Sequence, residues 1–467
     1  MTRVAPTPPA GFDFSVPVFV VGAGASGMVA ALSASDSGSE VLVVEADPLP
    51  GGSTALSAGL IPAAGTEFQR AAGIDDDPSL FATDIQRKAD WENPQALVDT
   101  LAKNAAPGIE WLSHQYRLPF SVVTDFDYPG HSRHRMHGLP SRSGRELVDR
   151  LRSTCEAKGI DIIYNRRVKV LFHDSYRVTG VEVQSPEGCE RIGCQTVLLA
   201  CNGFGGNSEM VARHIPEIKA ALWFGHDGNK GDAVMWGEAL GAESLHLGAY
   251  QGHGNVAVPH GILVTWAVIT SGGVQVNTKG RRFWDESQGY SEAARMVMAQ
   301  PGSIAWTIFD HRIASIARQF QDFKDAEAAG AFRVAKTLTA LADLCDLPAE
   351  TLCETISTIS SERSDAFGRS FPRRKLSPPY LAVKVTGALF HTQGGLNVNE
   401  DARVKCPNGD LLPNLYAAGG AAVGVSGRRD SGYLSGNGLL SAVVLGRIAG
   451  QCAAKQAGAN LSNAACT

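Results

Sequence analysis

The tyrosine at position 290 is the first residue whose type and setting suggest chemistry. It ends the stretch RRFWDESQGY at 281–290, which carries a basic pair, two aromatics and two acids before a Gly-Tyr pair. A phenol can donate a hydrogen bond, and its phenolate can accept a proton. The alternative is an aromatic side chain that only packs. What the rest of the chain binds decides between the two.

A glycine-rich turn near the start predicts a dinucleotide site. An apolar strand at Val18–Val21 leads into a Gly-x-Gly-x-x-Gly motif at 22–27, a helix follows, and a second strand at Glu40–Val44 ends in Glu45. The glycines let a pyrophosphate approach the helix N-terminus, and the acid can accept hydrogen bonds from a ribose diol. The run GGSTALSAG at 51–59 then offers amides and small hydroxyls to an isoalloxazine ring, which favours FAD over NAD.

The composition excludes several classes of protein. The 467 residues include 42 Lys and Arg against 47 Asp and Glu, a net charge of −5, and no dominant basic cluster, which argues against nucleic acid as a partner. No stretch approaches about eighteen apolar residues, so we predict no transmembrane segment. The first residues lack the apolar core of a signal peptide and predict a loose tail. Nine cysteines without a C-x-x-C spacing predict reduced thiols in a cytoplasmic protein.

Three histidines in HSRHRMH, His131, His134 and His137, have a spacing that would place them on one face of a helix as metal ligands. Pro129 and Gly130 before them, and Gly138 and Pro140 after them, favour a loop instead. We therefore predict no metal site.

Between the glycine-rich ends lies a segment with its own elements. Strand-like runs at Ile262–Thr270 and Val274–Asn277 precede helical stretches at Ser291–Ala299 and Ile313–Thr337. A polar run at 361–380 is typical of an irregular crossing between domains.

Seven sequence blocks carry a resemblance that covers nearly the whole chain. They are GAGASG with Glu45, GGSTALSAG, LLACNGFGGN, KGDAVMWGEALGA, GGVQVNTKGRRFWDES, HTQGGLNVN, and LYAAGG with YLSGNGLLSAVVLGRIAG. In this order they resemble the FAD-dependent fumarate reductase and 3-ketosteroid dehydrogenase superfamily. The resemblance implies an α/β protein with a discontinuous, Rossmann-like FAD-binding domain at 1–225 and 378–467. It also implies an inserted α+β capping domain at 226–377, which closes over the substrate, and FAD bound without a covalent link.

Two positions in these blocks depart from the fumarate-reducing branch of that superfamily. There, an arginine four residues after RF-x-N-E donates the proton, and another arginine just before LGGNAL grips a carboxylate. Here the two positions hold Tyr290 and Tyr433. A tyrosine pair resembles the 3-ketosteroid dehydrogenases, whose substrates carry a ketone. A neutral phenol suits one carbonyl oxygen, whereas a carboxylate is matched by a charged, forked donor.

The resemblance therefore implies a mechanism of ketone desaturation. One tyrosine polarises the ketone, Tyr290 as phenolate removes the α-proton, and the β-hydrogen leaves as hydride to N5 of FAD. Because the ordinary pKa of a phenol is about 10, Tyr290 needs a positive field or a relay through another hydroxyl. Tyr128 is the candidate for the relay, with packing against Pro129 as the alternative. The amide of Gly436 or Gly438 is expected to add a hydrogen bond to the carbonyl.

Other residues are candidates for substrate contact. His391 stands where reductases place a histidine on a carboxylate, although Phe390 replaces the histidine often found before it. Arg428 or Arg429 could anchor an anionic group, or could pair internally with Asp430. A ketone that also bears a carboxylate, such as 4-oxocyclohexanecarboxylate, would use the tyrosines for its ketone and an arginine for its carboxylate. A 3-ketosteroid is the other substrate expected.

The resemblance assigns the following residues to the cofactor: Gly22, Gly24, Ala25, Ser26, Gly27, Glu45, Ala46, Gly51, Gly52, Ser53, Thr54, Ser57, Ala58, Gly59, Val168, Asn202, Gly203, Asp232, Gly419, Gly420, Ser435, Gly436, Leu439 and Leu440.

The sequence thus predicts a flavin-dependent desaturase of a cyclic ketone, with oxygen, a quinone or an electron carrier as the final acceptor. One alternative is a reductase of an unsaturated carboxylate or an enone. The other is a flavoprotein without catalysis.

Overall fold

The computed structural model describes residues 3–126, 128–359, 365–371 and 375–465, with side chains described to residue 459. Parts of the predicted crossing at 361–380, and Cys466, lie outside the described residues. The described cysteines are free thiols. Among the described helices, none combines the length and apolar character that a membrane crossing requires.

The strands in chain order are β1 Arg3–Pro6, β2 Phe14–Val21, β3 Val41–Val44, β4 Ile61–Pro62, β5 Ser121–Val122, β6 Met136–Gly138, β7 Asp161–Ile163, β8 Arg167–Asp174, β9 Arg177–Ser185, β10 Gly188–Leu199, β11 Leu222–Trp223, β12 Ser244–Leu245, β13 Tyr250–Ala257, β14 Ile262–Leu263, β15 Val274–Val276, β16 Ile304–Asp310, β17 Phe332–Ala335, β18 Tyr380–Thr392, β19 Gly395–Leu396, β20 Arg403–Lys405 and β21 Leu411–Ala417.

The α-helices are α1 Ala25–Asp36, α2 Gly52–Ala55, α3 Glu67–Ala71, α4 Pro78–Lys88, α5 Gln95–Tyr116, α6 Gly144–Ala157, α7 Ser208–His214, α8 Asp232–Ala239, α9 Ala267–Thr270, α10 Tyr290–Met298, α11 His311–Ala317, α12 Gln321–Ala328, α13 Leu338–Cys345, α14 Ala349–Ile359 and α15 Asn437–Ala465.

The chain forms two compact units. Unit 1 holds residues 1–214, 225–250 and 391–467, and unit 2 holds 215–224 and 251–390. The predicted boundaries differ, since they assigned 215–224 and 378–390 to the FAD-binding domain and 226–250 to the cap. The reason lies in pairing along β18, because β11 and β16 both hydrogen-bond to it and draw residues 380–390 into the sheet of unit 2.

Unit 1 is built on a sheet whose described strands follow the order β1-β8-β9-β10-β2-β3-β7, with β21 also paired to β10. Strands β10, β2, β3 and β7 run parallel, and β2 and β3 end side by side at Val21 and Val44. All four residues of β3 are buried, as expected for a parallel strand covered on both faces. Residues Arg3–Pro6 pair with β8, so the prediction of a loose tail there was wrong.

Helices α1 and α15 pack against each other through glycines. A Cβ added at Gly446 would lie 2.6 Å from the backbone oxygen of Ser26, and one at Gly450 would lie 2.1 Å from that of Ala30. Because no side chain separates the helices there, backbone approaches backbone. The close contact fixes the start of α1 against α15.

Unit 2 is a mixed sheet in the order β14-β13-β18-β16-β15, with β11 and β17 also on β18. Two sequence predictions within it were wrong. The stretch 313–337 contains α11 and α12 and then strand β17, because Phe332 packs on Phe309 and Phe323 while its backbone pairs with β18. The stretch 262–270 contains a two-residue strand followed by α9.

We expect Gly450→Ala to destabilise unit 1, although alanine ordinarily favours a helix over glycine by about 1 kcal/mol. The added Cβ would meet a backbone oxygen at 2.1 Å, and overpacking of that kind costs about 1–3 kcal/mol. Gly458→Ala on the same helix is the control, since a Cβ there meets nothing within 4 Å. Urea unfolding measures both variants, and equal stability of the two would contradict the packing described.

Candidate active site and cofactor cradle

The nucleotide turn of unit 1 needs glycine for two different reasons. Gly22 has a φ of +104° and a Cβ there would lie 2.6 Å from the backbone oxygen of Ala200. A Cβ on Gly27 would lie 1.8 Å from the backbone oxygen of Gly22. The turn therefore brings the start of α1, with Gly24 as its N-cap, to the carboxyl end of β2. This is the place where parallel α/β sheets bind phosphates.

Glu45 follows the neighbouring strand β3 and is half-buried. Burial raises the pKa of its carboxyl, and the amides of Asp47 and Ala23, which donate to it at 3.0 and 2.7 Å, oppose that rise. The Ala23 amide belongs to the glycine turn, so Glu45 braces that turn. Ala46 beside it is exposed.

The Gly/Ser/Thr run packs against the same turn. The Thr54 hydroxyl accepts from the Ala25 amide at 3.1 Å. The Ser53 hydroxyl accepts from the side-chain amides of Asn202 and Asn229 at 2.7 and 3.0 Å. Gly51 and Gly52, the N-cap and first residue of α2, directly precede these two side chains.

The C-terminal glycines also approach the turn. Gly419 has a φ of +60°, and a Cβ there would lie 3.3 Å from the Ser26 hydroxyl oxygen. A Cβ on Gly420 would lie 2.3 Å from Oδ1 of Asn202. The hydroxyls of Ser26 and Ser441 and Oδ1 of Asn437 are buried and have no hydrogen-bond partner within the described protein. Buried polar atoms of this kind need a partner, which a bound dinucleotide supplies, so the residues fit FAD.

The remaining residues that the sequence assigned to the cofactor lie in the core of unit 1 or make local contacts within it. Val168 and Leu440 are buried in the core of unit 1, Leu439 is half-buried beside it, and Asp232 pairs with Arg167 at 2.8 Å. A group of loop residues makes local contacts: Ser57 and Gly59 with the start of α6, Gly203 against Thr392, and Ala58 exposed to solvent.

Tyr433 is buried four residues before α15. Burial raises the pKa of its phenol, and hydrogen bonds from the backbone amides of Gly436 and Gly438 oppose that rise. Its ring meets the His391 ring edge-on, with centroids 5.6 Å apart. The structure thus brings together four predicted site residues, and it directs the two amides at the phenol oxygen.

The predicted relay residue, Tyr128, lies in a loop that packs on the same segment. Burial raises the pKa of Tyr128 to about 12. Its ring packs with Phe126 and with an apolar cluster that includes Met136, whose Cε lies 3.3 Å from the Cβ position of Gly436. Its environment is therefore apolar and adjoins the Tyr433 segment.

Two of the three histidines have separate partners. His131 Nε2 donates to the backbone oxygen of Ser435 at 3.0 Å, and His137 Nε2 hydrogen-bonds to the Thr66 hydroxyl at 2.8 Å. Within the described residues, no group of His, Cys, Asp and Glu side chains could hold a metal ion. Buried Arg135 ties the loop to unit 1 through ion pairs with Asp76 and Asp84.

The two candidate anchors for an anion point away from the core. Arg428 and Arg429 both have exposed side chains, whereas Asp430 after them is buried. The Arg428 amide donates to the Glu92 carboxylate at 2.9 Å, which fixes the backbone of this loop.

Tyr290 in unit 2 begins helix α10, and Gly289 with a φ of +138° is the N-cap. Its ring stacks on His253 with centroids 5.1 Å apart and an interplanar angle of 16°. Trp266 lies edge-on at 6.4 Å. Tyr290 is half-buried and belongs to an aromatic cluster rather than to the protein surface.

A buried ion network holds the segment before Tyr290. Arg282 pairs with Glu286 and with Asp365, and Glu286 also pairs with Arg369 at 3.0 Å. The Glu286 carboxylate further accepts from the Gln275 amide at 2.9 Å. Arg282 and Glu286 are therefore structural, and their network holds the segment that leads to the start of α10.

Sequence reasoning missed His253 and Gln393. His253 is buried, which lowers its pKa to about 3, and its Nδ1 accepts from the Asn255 amide at 3.2 Å. Gln393 donates through its side-chain amide to Nδ1 of His391 at 2.8 Å. Neither had a spacing that could reveal it, because a lone histidine in a strand and one glutamine in a glycine turn carry no pattern.

Comparisons with known proteins place these sites in a family. The FAD binding domain model matches residues 17–439. A probable fumarate reductase, Ifc3, of Shewanella frigidimarina is 34% identical over 459 residues, which cover 96% of this chain and 76% of that protein. Among solved structures, a flavocytochrome c3 fumarate reductase in its open conformation superposes with a TM-score of 0.82 at 32% identity, covering 96% of this chain and 79% of that one. The 3-ketosteroid-Δ4-(5α)-dehydrogenase of Rhodococcus jostii RHA1 shares the fold, with a TM-score of 0.79 at 24% identity, covering 97% and 100%.

We expect unit 1 to lose stability as pH falls from about 6.5 to about 4, because burial lowers the pKa of His137 to about 4 and the unfolded chain then binds more protons than the folded one. His137→Gln should flatten the dependence of the free energy of unfolding on pH by up to about 1.4 kcal/mol per pH unit.

Thr66→Val is the control, since it removes the hydroxyl partner of His137 and the cap of α3 without removing the titrating group. It should cost about 1 kcal/mol at all pH values and keep the slope. Denaturant unfolding at several pH values measures both, and an unchanged slope in His137→Gln would contradict the buried neutral histidine.

Proposed function

The chain belongs to the FAD-binding fumarate reductase superfamily and is an FAD-dependent oxidoreductase, and from that premise we propose that it desaturates a cyclic ketone to the α,β-unsaturated ketone. One observation carries the proposal: the two positions at which the fumarate-reducing branch has arginines hold Tyr290 and Tyr433. Removing both guanidinium groups removes the matched donors for a carboxylate, and adding two phenols supplies donors for a ketone.

Tyr433 is proposed to hold the ketone oxygen. Burial raises its pKa, so the phenol keeps its proton at neutral pH and can donate it in a hydrogen bond. The amides of Gly436 and Gly438 hydrogen-bond to the phenol oxygen, which holds the hydroxyl in place. A hydrogen bond to the carbonyl oxygen stabilises the negative charge that develops there when the α-carbon loses its proton.

Tyr290 is proposed to accept that α-proton as a phenolate. The start of a helix favours negative charge, and Tyr290 is the first residue of α10. In the reaction the α-carbon–hydrogen bond breaks, its electrons form the new carbon–carbon double bond, and the β-hydrogen departs with two electrons. FAD, when bound, supplies the acceptor for those two electrons and that hydrogen.

The aromatic residues of unit 2 support an uncharged ring as substrate. Phe390 stacks on Phe224 with centroids 4.9 Å apart, and its ring lies 5.7 Å from that of His253. Burial lowers the pKa of His253, which is therefore neutral, and its ring stacks on Tyr290. A run of neutral rings offers apolar faces to an alicyclic substrate. We propose a single-ring ketone such as 4-oxocyclohexanecarboxylate, with Arg428 or Arg429 anchoring its carboxylate, or a 3-ketosteroid.

The likeness to fumarate reductases favours a second candidate. A reductase of an unsaturated carboxylate or an enone would use the same cofactor in the opposite direction, and the relative from Shewanella frigidimarina bears a fumarate reductase name. The tyrosine pair favours the desaturase over the reductase, because a dicarboxylate substrate would find no arginine at either position to pair with.

An anaerobic experiment tests the function directly. We expect the oxidised flavin absorbance to bleach when the protein is mixed with 4-oxocyclohexanecarboxylate or a 3-ketosteroid, and to persist with succinate. Bleaching by succinate alone would support the reductase. No bleaching by any ketone would contradict the proposal.

We expect Tyr290→Phe to bind FAD normally and to lose at least about a hundredfold in the rate of ketone oxidation, the usual size of a proton-transfer contribution. Tyr176→Phe is the matched control, since Tyr176 is 65% exposed between β8 and β9 in unit 1. Stopped-flow flavin absorbance gives both rates. A rate like that of the unchanged protein in Tyr290→Phe would remove this residue from the mechanism.

A further inference from the structure

A chain of buried polar side chains runs from His391 into unit 1. The Gln393 side-chain amide donates to Nδ1 of His391 at 2.8 Å, and its carbonyl oxygen accepts from the Ser426 hydroxyl at 2.8 Å. Nδ2 of Asn437 lies 3.3 Å from the Ser426 oxygen and 3.0 Å from the backbone oxygen of Val425. Gln393, Ser426 and Asn437 are buried.

The backbone carbonyl at the inner end sets the direction of the whole chain. The oxygen of Val425 can only accept, so Asn437 must present its NH2 group there and to Ser426. The Ser426 oxygen then accepts from Asn437, and its own hydrogen is donated to the side-chain oxygen of Gln393, 2.8 Å away. Gln393 is left with its NH2 group facing His391. Nδ1 of His391 must therefore be the acceptor, and the ring proton sits on Nε2.

One competing contact would place the proton on the other nitrogen. Nδ1 of His391 lies 3.4 Å from the backbone oxygen of Thr392, to which a protonated Nδ1 could donate. That contact is 0.6 Å longer than the 2.8 Å contact with Gln393, and a hydrogen bond weakens as its length increases. The Gln393 contact is the stronger of the two.

We propose that Gln393 is a positioning residue that fixes His391 as a neutral imidazole with its proton on Nε2, so that this histidine serves as a hydrogen-bond donor and not as a base. Burial lowers the pKa of His391 to about 4, which agrees with a ring that stays neutral at pH 7. The assignment of tautomer stands on the hydrogen-bond geometry.

The donor faces a site that glycine leaves accessible. A Cβ on Gly438 would lie 3.3 Å from Nε2 of His391 and 3.0 Å from its Cε1. The Tyr433 ring lies edge-on to the imidazole at 5.6 Å. A phenol and an imidazole thus lie on neighbouring rings. If the proposed function holds, the two match the two lone pairs of one carbonyl oxygen, which defines the acceptor as a ketone rather than a carboxylate.

The tautomer can be read without any substrate. In FAD-loaded protein with ¹⁵N-labelled histidine, we expect two-bond ¹⁵N–¹H spectra to show His391 as the neutral Nε2–H form, without titration, from pH 5.5 to pH 8. The spectrum of His391→Asn identifies the signal. A His391 signal with the proton on Nδ1, or averaged between the two nitrogens, would overturn the proposal.

Variants of Gln393 test whether this residue sets the tautomer. Gln393→Met keeps the length but removes the donor, so the proton should move to Nδ1 and towards the Thr392 oxygen. Gln393→Glu places an acceptor at Nδ1, so His391 should become protonated on both nitrogens and begin to titrate within the same range. An unchanged His391 pattern in both variants would sink the proposal.

Two controls keep folding apart from positioning. Ser426→Ala is a milder change two steps from the ring, and it should give a mixture of tautomers by freeing the Gln393 amide to rotate. The His253 signal, whose Nδ1 accepts from a backbone amide, should stay in its neutral Nε2–H form in every variant, and the flavin absorbance should persist. Should Gln393→Met fail to fold, an unmixed tautomer in Ser426→Ala would overturn the proposal.

Activity gives a separate readout that rests on the proposed function. With a ketone that bleaches the flavin, Gln393→Met should lose roughly tenfold in kcat/KM, the size expected for one hydrogen bond. If no ketone reacts with the unchanged protein, the proposed function fails while the spectra still decide the role of Gln393.

Discussion

Backbone contact between helices α1 and α15 is the constraint on which unit 1 depends. Gly446 and Gly450 let α15 lie against the backbone oxygens of Ser26 and Ala30. The N-terminus of α1 carries the nucleotide turn, and α15 begins four residues after Tyr433. The backbone contact between α1 and α15 therefore holds the nucleotide turn and Tyr433 on the same pair of helices. Any bulk placed there would move both.

Burial keeps the reactive side chains neutral. It raises the pKa of the Tyr128 and Tyr433 phenols and lowers the pKa of His391, each away from the charged form. In unit 2 burial does the same to His253. Neutral donors bind a neutral carbonyl at little cost in desolvation, whereas a buried dianion would need charged partners. The electrostatic character of each set of side chains thus suits a ketone.

The sequence predicted the cofactor because glycine spacing and the ends of β-strands are visible in short stretches of sequence. It identified β2, α1 and β3 around the nucleotide turn, and the FAD binding domain match confirms the cofactor. It failed where distant contacts decide the local structure. Strand β17 lies in a helical pattern and exists because β18, nearly fifty residues later, pairs with it. The contact between Gln393 and Ser426, 33 residues apart, is likewise invisible without the fold.

A chain similar to fumarate reductases can have a ketone substrate, because the residues that build the fold differ from those proposed to bind the substrate. The sequence blocks that resemble the superfamily are those that build the support: the glycine turn, the Arg282–Glu286 pair before Tyr290, and the glycines around Tyr433. An arginine in a buried site is stable only beside an opposite charge, so a substrate carboxylate would be part of such a site. A tyrosine has no such need and is satisfied by amides such as those of Gly436 and Gly438. In the proposed function, tyrosine in place of arginine at two positions therefore changes the charge that the substrate must bring, and leaves the support intact.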